Sequence, residues 1–203
     1  MLIYAFKGEI IVTSYLRIYS HFRDHMTGNR LIGTHDWRGK GERRNSVKLK
    51  QGKFYLFEER VPLRTHQVLR KELDKGRKTL YISKNPPRLL RTQLDFDETK
   101  LSTMWLSTRP NPECIPPMNL AIFEKNIMDF LSENEDGIVV LNGLDVLEMW
   151  NGFRPVLDVL ARAQVVVSGN VSNFLISLDP HNHYPEKLVK LENISDEVIS
   201  SYT

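Results

Sequence analysis

From residue 53 to about residue 193, apolar runs of strand length alternate with apolar stripes at helical spacing. Phe54-Tyr55-Leu56-Phe57, inside 53–58, predicts an aromatic-rich strand. Pro62 suits the first turn of a helix with Thr65, Val68, Leu69 and Leu73 on one side, and Gly76 stops it. Further strands are predicted over 79–83 and 103–107, with a short helix between them through Leu89-Leu90 after Asn85-Pro86-Pro87. Pro116-Pro117 precede the clearest helical stripe, Leu120, Phe123, Ile127 and Leu131, with Glu124, Lys125, Asp129 and Glu133 elsewhere around it. Gly137-Ile138-Val139-Val140-Leu141 is continuously apolar and predicts a central strand buried on both faces. A helix over 153–162, a strand over 173–178 and a helix over 185–191, extendable through 194–202, complete the pattern. Strands and helices in alternation with short connections predict an α/β fold, a mostly parallel sheet with helices on both faces.

The first 52 residues follow no such rule. Residues 1–29 fit a hairpin turning at Gly8 and equally a helical stripe of Ile11, Tyr15 and Phe22. Residues 28–52 are rich in Gly, Arg and Lys with little apolar periodicity, which predicts a mobile basic linker. The predicted organisation is therefore a short basic N-terminal extension, 1–52, before an α/β domain, 53–203.

Charge sharpens this division. The net charge is only +3, yet residues 1–100 hold 22 Lys and Arg against 11 Asp and Glu, while residues 101–203 hold 6 against 14. Such asymmetry marks a face for polyanions or an acidic partner, or else the two halves interleave and the charges mix; mixing is the plainer expectation. Cys114 is the only cysteine, so no intrachain disulfide forms, and its Pro-rich surroundings predict an inert loop thiol. No stretch reaches the roughly 18 apolar residues of a membrane span, and the N-terminus lacks a basic n-region and a small-residue cleavage site. A cytoplasmic protein without membrane contact is expected.

Chemistry is notable for what the motifs omit. Nucleotide hydrolysis on such a sheet needs Gly-x-x-x-x-Gly-Lys-[Ser/Thr] directly after a strand, where loop N–H groups hold phosphate. Gly28-Asn29-Arg30-Leu31-Ile32-Gly33-Thr34 lacks the lysine and precedes the first strand, as does Gly39-Lys40-Gly41. After the first strand comes Glu58-Glu59-Arg60-Val61-Pro62, whose two acids would repel a triphosphate. The buried strand ends in Asn142-Gly143-Leu144-Asp145, so an amide stands where a carboxylate for Mg²⁺ would be expected, and Asp145 suits a helix start. His21 and His25 lack a zincin glutamate between them, and His35, His66, His181 and His183 are read as structural or solvated. Trp105 and Trp150 are read as core or interface residues. No enzyme activity, catalytic residue, metal or cofactor is expected.

The ordered series Phe54–Glu58, Leu80-Tyr81-Ile82-Ser83-Lys84-Asn85-Pro86, Met104-Trp105-Leu106-Ser107, Ile138 through Asp145, Asn151-Gly152-Phe153 and Ile176-Ser177-Leu178-Asp179-Pro180 resembles a mostly archaeal family, the domain of unknown function 835. The resemblance covers residues 53 to about 193. It implies a degenerate relative of the KaiC/RecA-type ATPase core with the phosphate loop lost, of the kind attached to other segments as an output or sensory module in signalling. Two positions depart from the family pattern: Asp-Gly-Leu/Ile-Glu is expected where this chain has Asn142-Gly143-Leu144-Asp145, and Arg where Lys84 stands.

Together these readings predict a non-catalytic regulatory or protein-interaction module with a protein partner. Glu58, Ser83, Asn85, Ser107, Asn142 and Asp145 are expected to line a strand-end crevice, and Asn151 and Phe153 to touch a partner. One alternative is a nucleic-acid-associated protein gripping phosphates through Arg38, Lys40, Arg43, Arg44, Lys48 and Lys50. The other is a nucleotide sensor or enzyme on the same sheet.

Overall fold

Residues with no polar side to offer must be covered on both faces, and the apolar runs become the inner strands of one sheet. A computed structural model of the chain describes residues 47–94, with backbone only at 91–94, and 99–201. The chain divides into two units, Met1–Arg44 and Asn45–Thr203, and every described residue belongs to the second. The expectations for 1–29 and for the basic residues up to Arg44 lie outside the described residues.

The elements in order are β1 (Lys53–Glu58), α1 (Leu63–Asp74), β2 (Thr79–Ser83), α2 (Pro87–Leu94), β3 (Leu101–Leu106), β4 (Cys114–Ile115), α3 (Leu120–Glu133), β5 (Ile138–Asn142), α4 (Leu144–Asn151), α5 (Phe153–Ser168), β6 (Asn173–Leu178), a 3₁₀ turn (Pro180–Asn182), α6 (Pro185–Ile194) and β7 (Glu197–Ser200). The seven strands form one sheet ordered β4-β3-β2-β5-β6-β1-β7, and every pairing is parallel. This is the predicted α/β fold, with a wholly parallel sheet.

Alternation sorts the strand side chains into two cores. Phe54, Leu56, Ile82, Val139, Leu141, Phe174 and Ile176 pack under α3, α4, α5 and α6. Tyr55, Phe57, Tyr81, Val140 and Leu175 pack under α1 and α2, joined by Val47 and Leu49. Phe54 and Phe174, on neighbouring strands, stack at 4.6 Å with planes 12° apart.

Several boundaries differ from the expectation. Residues 47–52, read as mobile linker, fasten to the sheet. Val47 and Leu49 enter the core, Lys50 N–H donates to Tyr55 Oη at 2.8 Å, and Asn173 Nδ2 donates to the Lys50 carbonyl at 2.7 Å. The last helix does not continue through 202. It stops at Ile194, and the β-branched Val198-Ile199 run forms β7 on the outer side of β1. Cys114 lies in the two-residue edge strand β4, not in a loop. Trp150 is 48% exposed and so is not a core residue. The halves of the chain do interleave in the sheet, but their charges do not fully mix. Arg64, Arg70, Lys71 and Arg88 ride on the helices of one face, while the helices of the other hold more acids than bases.

Candidate functional site

In an open parallel sheet, the carboxyl ends of the strands and the helix N-termini beside them form the default binding crevice. Here a buried side chain of the chain itself fills the most polar part of that region. Glu59, one residue past β1, is 3% exposed. Its Oε2 accepts the Arg64 N–H at 2.8 Å, and its Oε1 accepts the Thr65 N–H at 3.3 Å. Oε1 also accepts the Thr65 hydroxyl in a short contact and the Ser177 hydroxyl at 3.0 Å. Asn142 Nδ2 reaches Ser177 Oγ at 3.4 Å and extends the network to β5.

The local sequence explains this arrangement. α1 begins after Pro62, which has no side chain to cap the helix. The first N–H groups of a helix lack partners within it and favour negative charge. Glu59 supplies both needs from outside the helix. Burial pushes its carboxyl above the usual carboxylate range, and the bonds from Thr65, Arg64 and Ser177 pull it partly back.

The expected crevice residues surround this centre without all converging on it. Glu58 ends β1, half-buried, with its carbonyl accepting Ser201 N–H at 3.0 Å. Ser83 is fully buried, in register with Asn142, and its hydroxyl oxygen accepts Asn85 N–H at 2.9 Å. Ser107 lies farther along the sheet beyond β3, and its hydroxyl oxygen accepts Arg109 N–H at 3.2 Å. Asp145 takes the Lys84 ammonium at 2.7 Å, while Lys84 N–H donates to the Asn142 carbonyl at 2.7 Å. Lys84 and Asp145 thus form an ion pair with each other. Glu59 was the member that sequence reasoning passed over; its signal was an acid three residues before a helix-starting proline.

The α4–α5 corner holds the expected partner contacts. Asn151 Nδ2 is committed inward, to the carbonyls of Pro117 at 2.7 Å and Leu147 at 2.9 Å. Phe153 is half-buried, and the Lys187 ammonium sits 5.4 Å from its ring centroid and 5.5 Å from that of Tyr184. The outward residues here are Met149 and Trp150, 67% and 48% exposed.

Behind that corner Glu148 joins α4 to α6, meeting His183 Nδ1 at 3.1 Å and accepting from Lys187 Nζ at 2.8 Å. Burial raises the Glu148 carboxyl, but the His183 and Lys187 bonds outweigh it and hold it below the ordinary range. A depressed carboxyl stabilises the fold above its unfolded value near 4.5, and that stabilisation is lost as pH falls through the folded value. Glu148→Gln is therefore expected to be less stable than the parent by about 1–2 kcal/mol at pH 7. The gap should narrow as pH drops below 4.5; parallel denaturation curves for the two proteins across that range would contradict the clamp.

Other candidate chemistry is quiet. His66 Nε2 lies 2.9 Å from Tyr81 Oη, and burial, with Arg70 nearby, lowers its pKa to about 4, so it is neutral. Among the described residues, no group of three or more His, Cys, Asp or Glu is placed to hold a metal ion. Of the basic residues proposed to grip nucleic acid, Lys50 pairs with Glu197 at 2.6 Å and Lys48 is exposed. No helix among the described residues is long and apolar enough to cross a membrane.

Comparison with known proteins agrees with this architecture. Residues 62–194 match the family model described as "Protein of unknown function (DUF835)"; the match begins just after the Glu59 turn. No curated protein matches the chain. Among solved structures, a KaiC-like protein from the hyperthermophilic archaeon Pyrococcus horikoshii OT3 superposes with a TM-score of 0.56 at 16% identity, covering 74% of this chain and 72% of its own. At that identity the likeness establishes a shared fold.

Proposed function

We propose that this chain, which belongs to the DUF835 family of proteins of unknown function, is a non-catalytic regulatory or protein-interaction module on a KaiC-like fold. One observation carries the reading. Where an open α/β sheet ordinarily offers helix N–H groups to a ligand's phosphate, Glu59 occupies them and brings a carboxylate that a nucleotide would have to displace.

Other polar groups at the strand ends bond within the chain: Ser83 Oγ accepts Asn85 N–H and Ser107 Oγ accepts Arg109 N–H. Lys84, just past β2, is paired with Asp145. Met149 and Trp150 at the α4–α5 corner are exposed and are residue types enriched where proteins meet. The partner is proposed to be another protein docking there.

The test is a thermal-shift panel of ATP, ADP, GTP and cyclic nucleotides with Mg²⁺. A ligand present at 100 times its dissociation constant would add about 2.7 kcal/mol of stability. The expected outcome is a flat response. A clear upward shift with any nucleotide would overturn the reading. Complementary capture from cell extract with the parent and with Trp150→Ala is expected to recover a protein that the variant loses.

A further inference from the structure

We propose that the outward side of the α1–α2 layer is a docking surface for nucleic acid, which it holds by the phosphate backbone without reading base sequence. The inference is independent of the reading above, because this layer covers the opposite face of the sheet from α4 and α5.

α1 turns Val68, Leu69, Glu72 and Leu73 into the core and presents Gln67, Arg70, Lys71, Asp74 and Lys75 to solvent. Val47 and Leu49 pack against the same core, and Lys48 between them is exposed. Arg88 is exposed in the first turn of α2. Exposed cations thus come from three segments of one face. Among the described side chains of 47–53, α1 and α2, Asp74 is the one exposed acid. Glu72 is 5% exposed and is shared by Lys75 at 2.6 Å and Arg77 at 3.1 Å. Lys50 and Lys53 are neutralised by Glu197 and Asp196, so they add nothing to the surface.

The kind of partner follows from what this surface lacks. Protein interfaces are anchored by apolar and aromatic side chains. Met118, Ile122, Met149, Trp150 and Val165 are exposed in or beside helices of the other face, whereas α1 offers only Leu63, at the end of the helix away from its cations. A helix lies in a membrane surface by its apolar side, and that side of α1 is in the core. Cations spread over three segments do not converge on a single phosphate. They match a partner whose phosphates repeat along a backbone, and such contacts carry no sequence information.

The experiment follows the fluorescence anisotropy of a labelled duplex of about 20 base pairs, titrated with the full chain at about 50 and 200 mM salt. Two double variants change the charge equally: Lys48→Glu with Lys71→Glu on the proposed surface, and Arg154→Glu with Lys190→Glu, exposed on the other face. The parent is expected to bind at the lower salt and to weaken at least about 10-fold at the higher. K48E/K71E is expected to lose about 10-fold in affinity and to lower the salt slope by about two, while R154E/K190E loses less than about 3-fold. If K48E/K71E melts well below the parent, the milder K48Q/K71Q pair replaces it, with an expected loss of about 3-fold. A parent that ignores the duplex at low salt would overturn the proposal. So would equal losses in the two double variants, or parent affinity in the variants of Lys48 and Lys71. Tighter binding of polyglutamate than of a duplex of equal charge would overturn it in favour of an acidic protein.

Discussion

Phe174→Ala is expected to lower the unfolding free energy by about 4 kcal/mol, the upper part of the range for truncating a buried aromatic side chain. Phe174 is fully buried in the middle of the sheet, pairing in register with Phe54 on one side and Val139 on the other. Its ring stacks on Phe54, so the variant loses both transfer free energy and a ring contact, and leaves a cavity beneath α5. The covering helix cannot collapse into that cavity easily, because it is packed against both β1 and β6 with Val156, Leu160 and Ala163 buried in the same core. Chemical denaturation measures the loss directly. A double-mutant cycle with Phe54→Ala should give a coupling of about 1 kcal/mol. A loss under about 1.5 kcal/mol would mean that the two rings do not share one packed layer.

Gly143→Ala is expected to cost about 3 kcal/mol, for reasons of backbone and space together. Gly143 sits between β5 and α4 at φ +156°, a conformation that residues with a Cβ rarely adopt. An added Cβ would stand 2.7 Å from Leu106 Cδ1, 3.1 Å from the Lys84 backbone nitrogen and 3.3 Å from Lys84 Cβ. The Leu106 methyl can move aside. The Lys84 nitrogen cannot, because its N–H donates to the carbonyl of Asn142, next door to the glycine. Relief of the clash therefore pulls β2 away from β5 at their carboxyl ends and disturbs the Lys84–Asp145 pair. Equilibrium unfolding together with hydrogen exchange at the Lys84 amide checks both parts. Undiminished stability with full protection at Lys84 would refute the close approach.

The parts of this fold that could be read in advance are those where burial dictates residue type. Strands β1, β2, β5 and β6 are covered on both faces, so almost every position is apolar, and the runs stand out at Phe54–Phe57 and Ile138–Leu141. Helix α3 announces itself through the stripe Phe123, Ile127 and Leu131. β7 escaped notice because a four-residue edge strand needs only one covered side, and its half-buried residues continue the polar-apolar mixture of α6 without a break. The segment Val47–Leu49 was hidden by its charged neighbours, since only two apolar side chains in it reach the core.

The candidate site was legible as a deficit rather than as a structure. Glu58 and Glu59 in place of a glycine-rich loop led to the expectation of phosphate repulsion, and the structure places Glu59 at the start of α1. Charge alone, however, does not distinguish a solvated acid from one turned inward. The usual helix-capping signal is Ser, Thr, Asp or Asn at the position where this chain has Pro62, so the cap arrives from three residues upstream and through tertiary folding. Ser177, its partner, lies 118 positions away, a separation no local pattern spans.

The order of strands also has a temporal consequence. Among the described strands β1 is the first to be synthesised, yet neither described neighbour beside it is close in the chain: Lys53 meets Asn173, 120 residues later, and β7 follows later still. A nascent polypeptide leaving the ribosome thus carries Phe54, Tyr55 and Phe57 unsatisfied until β6 has been made. Productive closure awaits the arrival of β6, which makes maturation of this sheet a late and slow event, with an aromatic segment open to chaperones in the meantime.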